Sequence, residues 1–286
     1  MRYGVHVSIA GGFLEALARS KRLSCRTMQI FSRSPRGGLA PKINEDDAQA
    51  FHDQRLEADL APLVVHGPYI VNLASPDRTI FGRSVAMYKQ EYLRCHQLRA
   101  AFLVTHVGSH RGGGEEAGIR CVAEALNRTI ESLDSPVIIA LENTVGGGQG
   151  LGYQFEQLAA MRDRVDRKDR VGFCLDTAHL FAAGFPIHTP EGLEETLVQF
   201  DRIVGYAHLK VIHLNDSKSA FNSHVDRHWH LGQGQLGLEA IGRIVNHPRL
   251  QDLPFILETP KDSDEDDRRN LETVARLIAA DSAARR

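Results

Sequence analysis

The chain has 286 residues, of which 42% are hydrophobic and 24% charged, with a formal net charge of -2. These are ordinary proportions for a soluble globular protein with a large buried core. They leave no overall basic character to advertise a nucleic-acid partner, so any such contact has to come from a local patch or from bound cations.

The four cysteines, Cys25, Cys95, Cys121 and Cys174, lie far apart without a C-x-x-C pair. That argues against a zinc ribbon or a disulfide framework and reads as reduced core or helix residues. The N-terminal MRYGVHVSIAGG has no charged stretch leading into a long apolar one, and nowhere do about 18 apolar residues run together. A cytoplasmic protein with no membrane partner is expected.

Taken in chain order, the predicted strands are YGVHV (3–7), TMQIF (27–31), LVVHG (63–67), FLVTH (102–106), VIIALE (137–142), VGFCLD (171–176), LKVIHL (209–214) and PFILE (254–258). Segments with apolar residues recurring at three and four separate them, among them INEDDAQAFHDQRLEADL, SVAMYKQEYLRCHQLRA, PEGLEETLVQFDRIVG and DDRRNLETVARLIAAD. Asn44 and Pro190 stand where helix starts need a cap or a residue without an N–H. Strands alternating with helices in this way predict an α/β protein, a (β/α)8 TIM barrel. With no linker or repeat to divide it, residues 1–286 read as a single domain. The acidic run DSDEDD (262–267) reads as a solvated helix start.

A metal-ligating side chain stands at or beside the C-terminal end of six of these strands: His66, His106, Glu142, Asp176, His213 and Glu258. In a parallel barrel these ends open on one face, where such folds carry their chemistry. His179 follows Asp176 by three residues, and Asp226 and His228 are two apart, so in an extended segment they share a face at about 6.5 Å. A lone histidine at a strand end is more often structural, but nine such residues on one rim point to a shared site. Imidazoles and carboxylates without a thiolate suit zinc or manganese, and the abundance of imidazole favours zinc over magnesium.

The segments HGPYIVNLASP (66–76), HVGSH (106–110), LENTVGGG (141–148), LDTAHLFAAG (175–184), HLNDSKS (213–219), VDRHWHLGQGQLG (225–237) and LETP (257–260), with the opening GVHVSIAGG (4–12), resemble the signatures of the endonuclease IV family, the second class of apurinic/apyrimidinic endonucleases. The resemblance runs from about residue 3 to residue 275 and fills all nine ligand positions. It implies three Zn2+ ions per chain, with Mn2+ admissible in one position and no organic cofactor. His66, His106 and Glu142 would hold the first, Glu142, Asp176, His213 and Glu258 the second, and His179, Asp226 and His228 the third. Glu142 would bridge two ions and act as the catalytic carboxylate.

The implied activity is hydrolysis of the phosphodiester 5′ to an abasic site in double-stranded DNA, leaving a 3′-hydroxyl and a 5′-deoxyribose phosphate, together with removal of 3′ blocking groups. Arg36 matches a residue that enters the base stack from the minor groove, and Tyr69 one that wedges beside it. Departures from the family pattern are Gly37 and Gly38, where a polar and an aromatic residue are usual and which predict a more flexible loop, Val107 for proline and Gln233 for glutamate. His6, His110, His224 and His230 are candidates for orienting ligands, and Trp229 is expected to point away from the metals.

Two other functions remain open to the sequence. A metal-dependent sugar isomerase or epimerase shares the barrel, but would not require His66, His106, His179, Asp226 and His228 in addition. A non-catalytic damaged-DNA-binding protein would not need an open, carboxylate-bridged site. With no large apolar stripe left over, a monomer is expected.

Overall fold

Strands buried on both faces need unbroken apolar runs, and each of the eight runs forms one. In the computed structural model, which describes residues 1–38 and 40–284, they are β1 (Arg2–Val7), β2 (Met28–Phe31), β3 (Leu63–His66), β4 (Phe102–Thr105), β5 (Ile138–Glu142), β6 (Val171–Asp176), β7 (Leu209–His213) and β8 (Pro254–Leu257). They pair in parallel and close into a barrel, with β8 hydrogen-bonded to both β7 and β1. The expected (β/α)8 TIM barrel is the observed fold.

The helices wrap the outside: α1 (Phe13–Arg22), α2 (Glu45–Glu57), α3 (Arg78–Gln97), α4 (Glu115–Ile130), α5 (Phe155–Asp163), α6 (Thr177–Ala182), α7 (Pro190–Ile203), α8 (Gly237–Val245) and α9 (Asp264–Ala284). Asn44 caps α2 by accepting hydrogen bonds from the backbone N–H groups of Asp46 and Asp47, and Thr189 caps α7 ahead of Pro190. Helix α3 begins well before the predicted Ser84, because the Asp77 side chain accepts from Thr79 and Ile80 and starts the helix there. The acidic run is only partly solvated: Asp267 is buried and pairs with Lys261 at 2.7 Å. No helix among the described residues is long and apolar enough to cross a membrane.

Two cores result. Between the barrel and its helices lies the larger one, with Phe51, Tyr88, Tyr92, Phe155, Phe173 and Phe200 fully buried. Inside the barrel, Val64, Val104, Ala140, Cys174, Val211 and Ile256 form a separate apolar layer. Between β7 and α8 the chain makes a short antiparallel ladder, Asp216–Ser217 against His228–Trp229. This ladder brings the 225–230 segment over the barrel mouth.

Candidate metal centre

Because all eight strands run the same way, the side chains at their C-terminal ends meet at one mouth. His66, Glu142, Asp176 and His213 are the last residues of β3, β5, β6 and β7, while His106 and Glu258 stand one residue beyond β4 and β8. His179 comes from α6, whose first turn is capped by Asp176: the Oδ1 atom accepts from the His179 backbone N–H at 2.8 Å. Asp226 and His228 reach the mouth from the ladder segment.

Glu142 lies at the centre and is 0% exposed. Its Oε2 is 2.8 Å from His106 Nε2 and 3.2 Å from His66 Nε2. Its Oε1 is 3.0 Å from His213 Nδ1 and 3.5 Å from His179 Nδ1. His213 Nδ1 also lies 3.2 Å from Glu258 Oε2 and 4.0 Å from Asp176 Oδ2. On the solvent side, Asp226 Oδ1 is 3.3 Å from His179 Nε2 and 3.4 Å from His228 Nε2, and the two imidazole nitrogens are 3.3 Å apart.

Three sets of donor atoms each fall within 4.8 Å of one another: His66, His106 and Glu142; Glu142, Asp176, His213 and Glu258; and Asp176, His179 and His228. The last set has Asp176 where the family resemblance implies Asp226. Asp226 is 49% exposed and closes the same group from outside, while Asp176 Oδ2 approaches His228 Nε2 to 3.5 Å from within.

The imidazoles are held by their far nitrogens, which leaves the near ones aimed at the cluster. His66 Nδ1 bonds to the Gly67 carbonyl at 2.7 Å, His179 Nδ1 to Asn143 at 2.9 Å and His228 Nδ1 to Glu258 at 3.2 Å. A ring that donates through one nitrogen presents a lone pair on the other, as metal ligation requires. The carboxylates are held too: Asn215 donates its side-chain N–H to Asp176 Oδ2 at 2.6 Å and accepts from the Glu258 backbone N–H.

Burial pushes the Glu142 carboxyl up, but His106 and His213 beside it outweigh that and hold it well below the usual carboxylate range. Burial pushes His179 down, but Asp176, Asp226 and Glu142 carry it up to about 10. Burial raises the Cys174 thiol to about 12, so this cysteine stays protonated and is no nucleophile.

Tyr69 stands on the rim, 60% exposed, with its ring 5.3 Å from Phe31 and 5.4 Å from His66. Arg36 is exposed on the neighbouring loop, where Gly37 lies against Ile70. Gly37 and Gly38 have φ of 91° and 93°, values side chains rarely adopt, so the loop path itself calls for the two glycines.

The other histidines have varied roles. His6 Nδ1 is 3.5 Å from Glu258 Oε1, whereas His110 accepts from the Gly114 N–H, His224 bonds to the Val145 carbonyl and His230 to Asn270. Trp229 carries the Lys218 ammonium over its ring at 3.9 Å. Sequence reasoning did not single out Gln29, Asn143, Asn215 or Asp216, all of them buried polar side chains. Asp216 takes five backbone N–H groups, from Ser217, Gly232, Gly234, Leu236 and Gly237.

Residues 17–280 match the family described as xylose isomerase-like TIM barrel. The probable endonuclease 4 of Chloroflexus aurantiacus is 43% identical over 279 residues, which cover 97% of this chain and 98% of the relative. Endonuclease IV from Thermus thermophilus superposes with a TM-score of 0.87 at 33% identity, over 98% of this chain and 100% of the other. A D-tagatose 3-epimerase-like protein, at a TM-score of 0.75 and 17% identity, shares the fold alone.

Proposed function

The chain belongs to the endonuclease IV family, and from that premise we propose that it is a zinc-dependent DNA repair nuclease that hydrolyses the phosphodiester 5′ to abasic sites in double-stranded DNA. The observation that carries this reading is the position of Glu142, whose Oε2 faces His66 and His106 while its Oε1 faces His213. A sugar isomerase working with one metal has no use for that bridge, nor for the His179, Asp226 and His228 group outside it.

The donor set fits the proposed cofactor: imidazole nitrogens and carboxylate oxygens without thiolate, with lone pairs turned toward one another by outer hydrogen bonds. His66, His106 and Glu142 would hold one ion, Glu142, Asp176, His213 and Glu258 a second, and His179, Asp226 and His228 a third, with manganese admissible in one position. Zinc bound there supplies Lewis acidity, offsetting phosphate charge and lowering the pKa of water toward about 7. Without such cations the four carboxylates would repel a phosphodiester; with them the sign of the local field reverses.

The remaining work falls to the chain itself. Glu142, buried between His66, His106 and His213, orients the attacking water for in-line displacement, giving a 3′-hydroxyl and a 5′-deoxyribose phosphate without a covalent enzyme intermediate. Tyr69 and Arg36 meet the duplex at the rim. An abasic nucleotide lacks stacking and rotates out of the helix at lower cost, so shape and deformability select the lesion. The same mouth would accept 3′-blocked ends. We further propose that residues 1–286 act as a single domain and as a monomer in the cytoplasm.

The test uses a duplex carrying one abasic analogue and a second duplex with a 3′-blocked nick, each with and without a strong chelator, alongside metal analysis. Chelator-sensitive nicking with about three zinc per chain, as expected for one ion per ligand set, supports the proposal. Sugar turnover with a single metal, or damage binding without cleavage, overturns it.

A further inference from the structure

We propose that Gln29 is a positioning residue, which fixes His213 and Glu258 in the geometry needed by the ion they hold with Glu142 and Asp176. The inference rests on the metal-dependent reading above. Gln29 is the one polar residue in the apolar run MQIF of β2, and it is fully buried. Its Oε1 lies 2.8 Å from His213 Nε2, and its Nε2 lies 2.6 Å from Glu258 Oε1 and 2.9 Å from His6 Nδ1.

A primary amide has two N–H donors and one carbonyl acceptor site in use here, and each meets a partner. Glu258, as a carboxylate, can only accept, so the amide nitrogen faces it; turning the amide over would set oxygen against oxygen. With the nitrogen so fixed, the carbonyl faces His213 and takes the proton of Nε2. The lone pair of His213 is thereby assigned to Nδ1, which is the atom 3.0 Å from Glu142 and 3.2 Å from Glu258 Oε2. The same amide occupies Glu258 Oε1 and leaves Oε2 turned to the cluster.

Gln29 differs in kind from the outer partners of His66, His179 and His228. His66, His179 and His228 are oriented by backbone carbonyls, which no substitution removes. His213 is oriented by a side chain, so this ligand set is open to disruption at a single position. Removing an outer partner of a metal ligand lowers metal affinity by about 10- to 100-fold.

The experiment compares the parent protein with Gln29→Met, which keeps length and burial but forms none of the three hydrogen bonds, and with Leu103→Val, a buried change on β4 away from the ligands. Each is stripped of metal, reloaded with zinc and titrated with a competing chelator, and the imidazole 15N resonances of His213 are recorded. Gln29→Met should release one zinc equivalent at about 10- to 100-fold lower chelator concentration than the parent, keep the others, and lose the parent shift of the His213 Nε2 proton. Leu103→Val should release its zinc as the parent does. Parent-like zinc retention by Gln29→Met, or the same selective release by Leu103→Val, overturns the role of Gln29 alone. A parent protein that takes up no zinc overturns the functional reading and this inference with it.

Discussion

Replacing Asp216 by asparagine should release the loop that follows the Asp226 and His228 segment. Oδ1 of Asp216 accepts from the backbone N–H groups of Ser217 at 2.7 Å and Leu236 at 2.9 Å. Oδ2 accepts from Gly232 at 2.9 Å, Gly234 at 3.0 Å and Gly237 at 3.3 Å. Asparagine has one oxygen and can serve only one of these groups, while its N–H2 confronts the donors of the other. At least two hydrogen bonds to a charged acceptor are lost, at about 1.5–3 kcal/mol each, or about 3–6 kcal/mol together.

Such a loss is comparable with the whole stability of many domains, so the loop should detach locally before the barrel unfolds. Amide hydrogen exchange at Gly232, Gly234, Leu236 and Gly237 is the direct assay. Even the lower figure corresponds to acceleration on the order of 100-fold. Exchange within about threefold of the parent at these amides, where the energy scale demands far more, would mean that Asp216 does not hold this loop. The neighbouring Gly234→Ala should act in the same direction, because its added Cβ would collide with Asp216 Oδ1 and the Ser217 carbonyl.

Glu142→Gln should keep the fold but present an N–H2 either to His66 and His106 or to His213. Nicking of an abasic duplex should then fall by more than the roughly 100-fold cost of losing an outer partner, and near-parent rates would remove Glu142 from its role. Tyr69→Ala should weaken binding to the abasic duplex by about 1–3 kcal/mol, roughly 5- to 150-fold in Kd, with undamaged duplex less affected; fluorescence anisotropy reads both, and equal losses on both would sink the wedge.

Metal uptake should release protons. His179 is raised to about 10. In the metal-free protein it therefore contributes stability that is full below its unfolded value of about 6.5 and lost as pH rises through the folded value. A cation must displace that proton, so affinity falls as pH falls. Titration calorimetry in buffers of different ionisation enthalpy should give different heats; identical heats would count against this account.

The barrel was legible because parallel strands covered on both faces leave unbroken apolar runs, and their ends pointed to His66, Glu142, Asp176 and His213 directly. His106 and Glu258 lie one residue past their strands, a shift that does not disturb the argument. The start of α3 was harder to read, since Asp77 sets it through a side-chain cap while the apolar periodicity becomes clear only later. Gln29 and Asp216 gave no sequence signal of their roles. A glutamine in a strand looks like an exception to a pattern, and its partners His213 and Glu258 lie 184 and 229 residues away. The paired glycines at 37 and 38 read from sequence as a more flexible loop; their backbone angles add that this loop follows a course a larger side chain would strain.

The apolar layer of Val64, Val104, Ala140, Cys174, Val211 and Ile256 lies across the inside of the barrel, beneath the ligand cluster. With all six side chains 0% exposed, it forms a closed floor under the site. On the proposed function, ion and nucleic acid would share the mouth at the C-terminal ends of the strands as their doorway. A bound duplex would then be a stopper over the cluster, and metal exchange would wait until the cut strand departs.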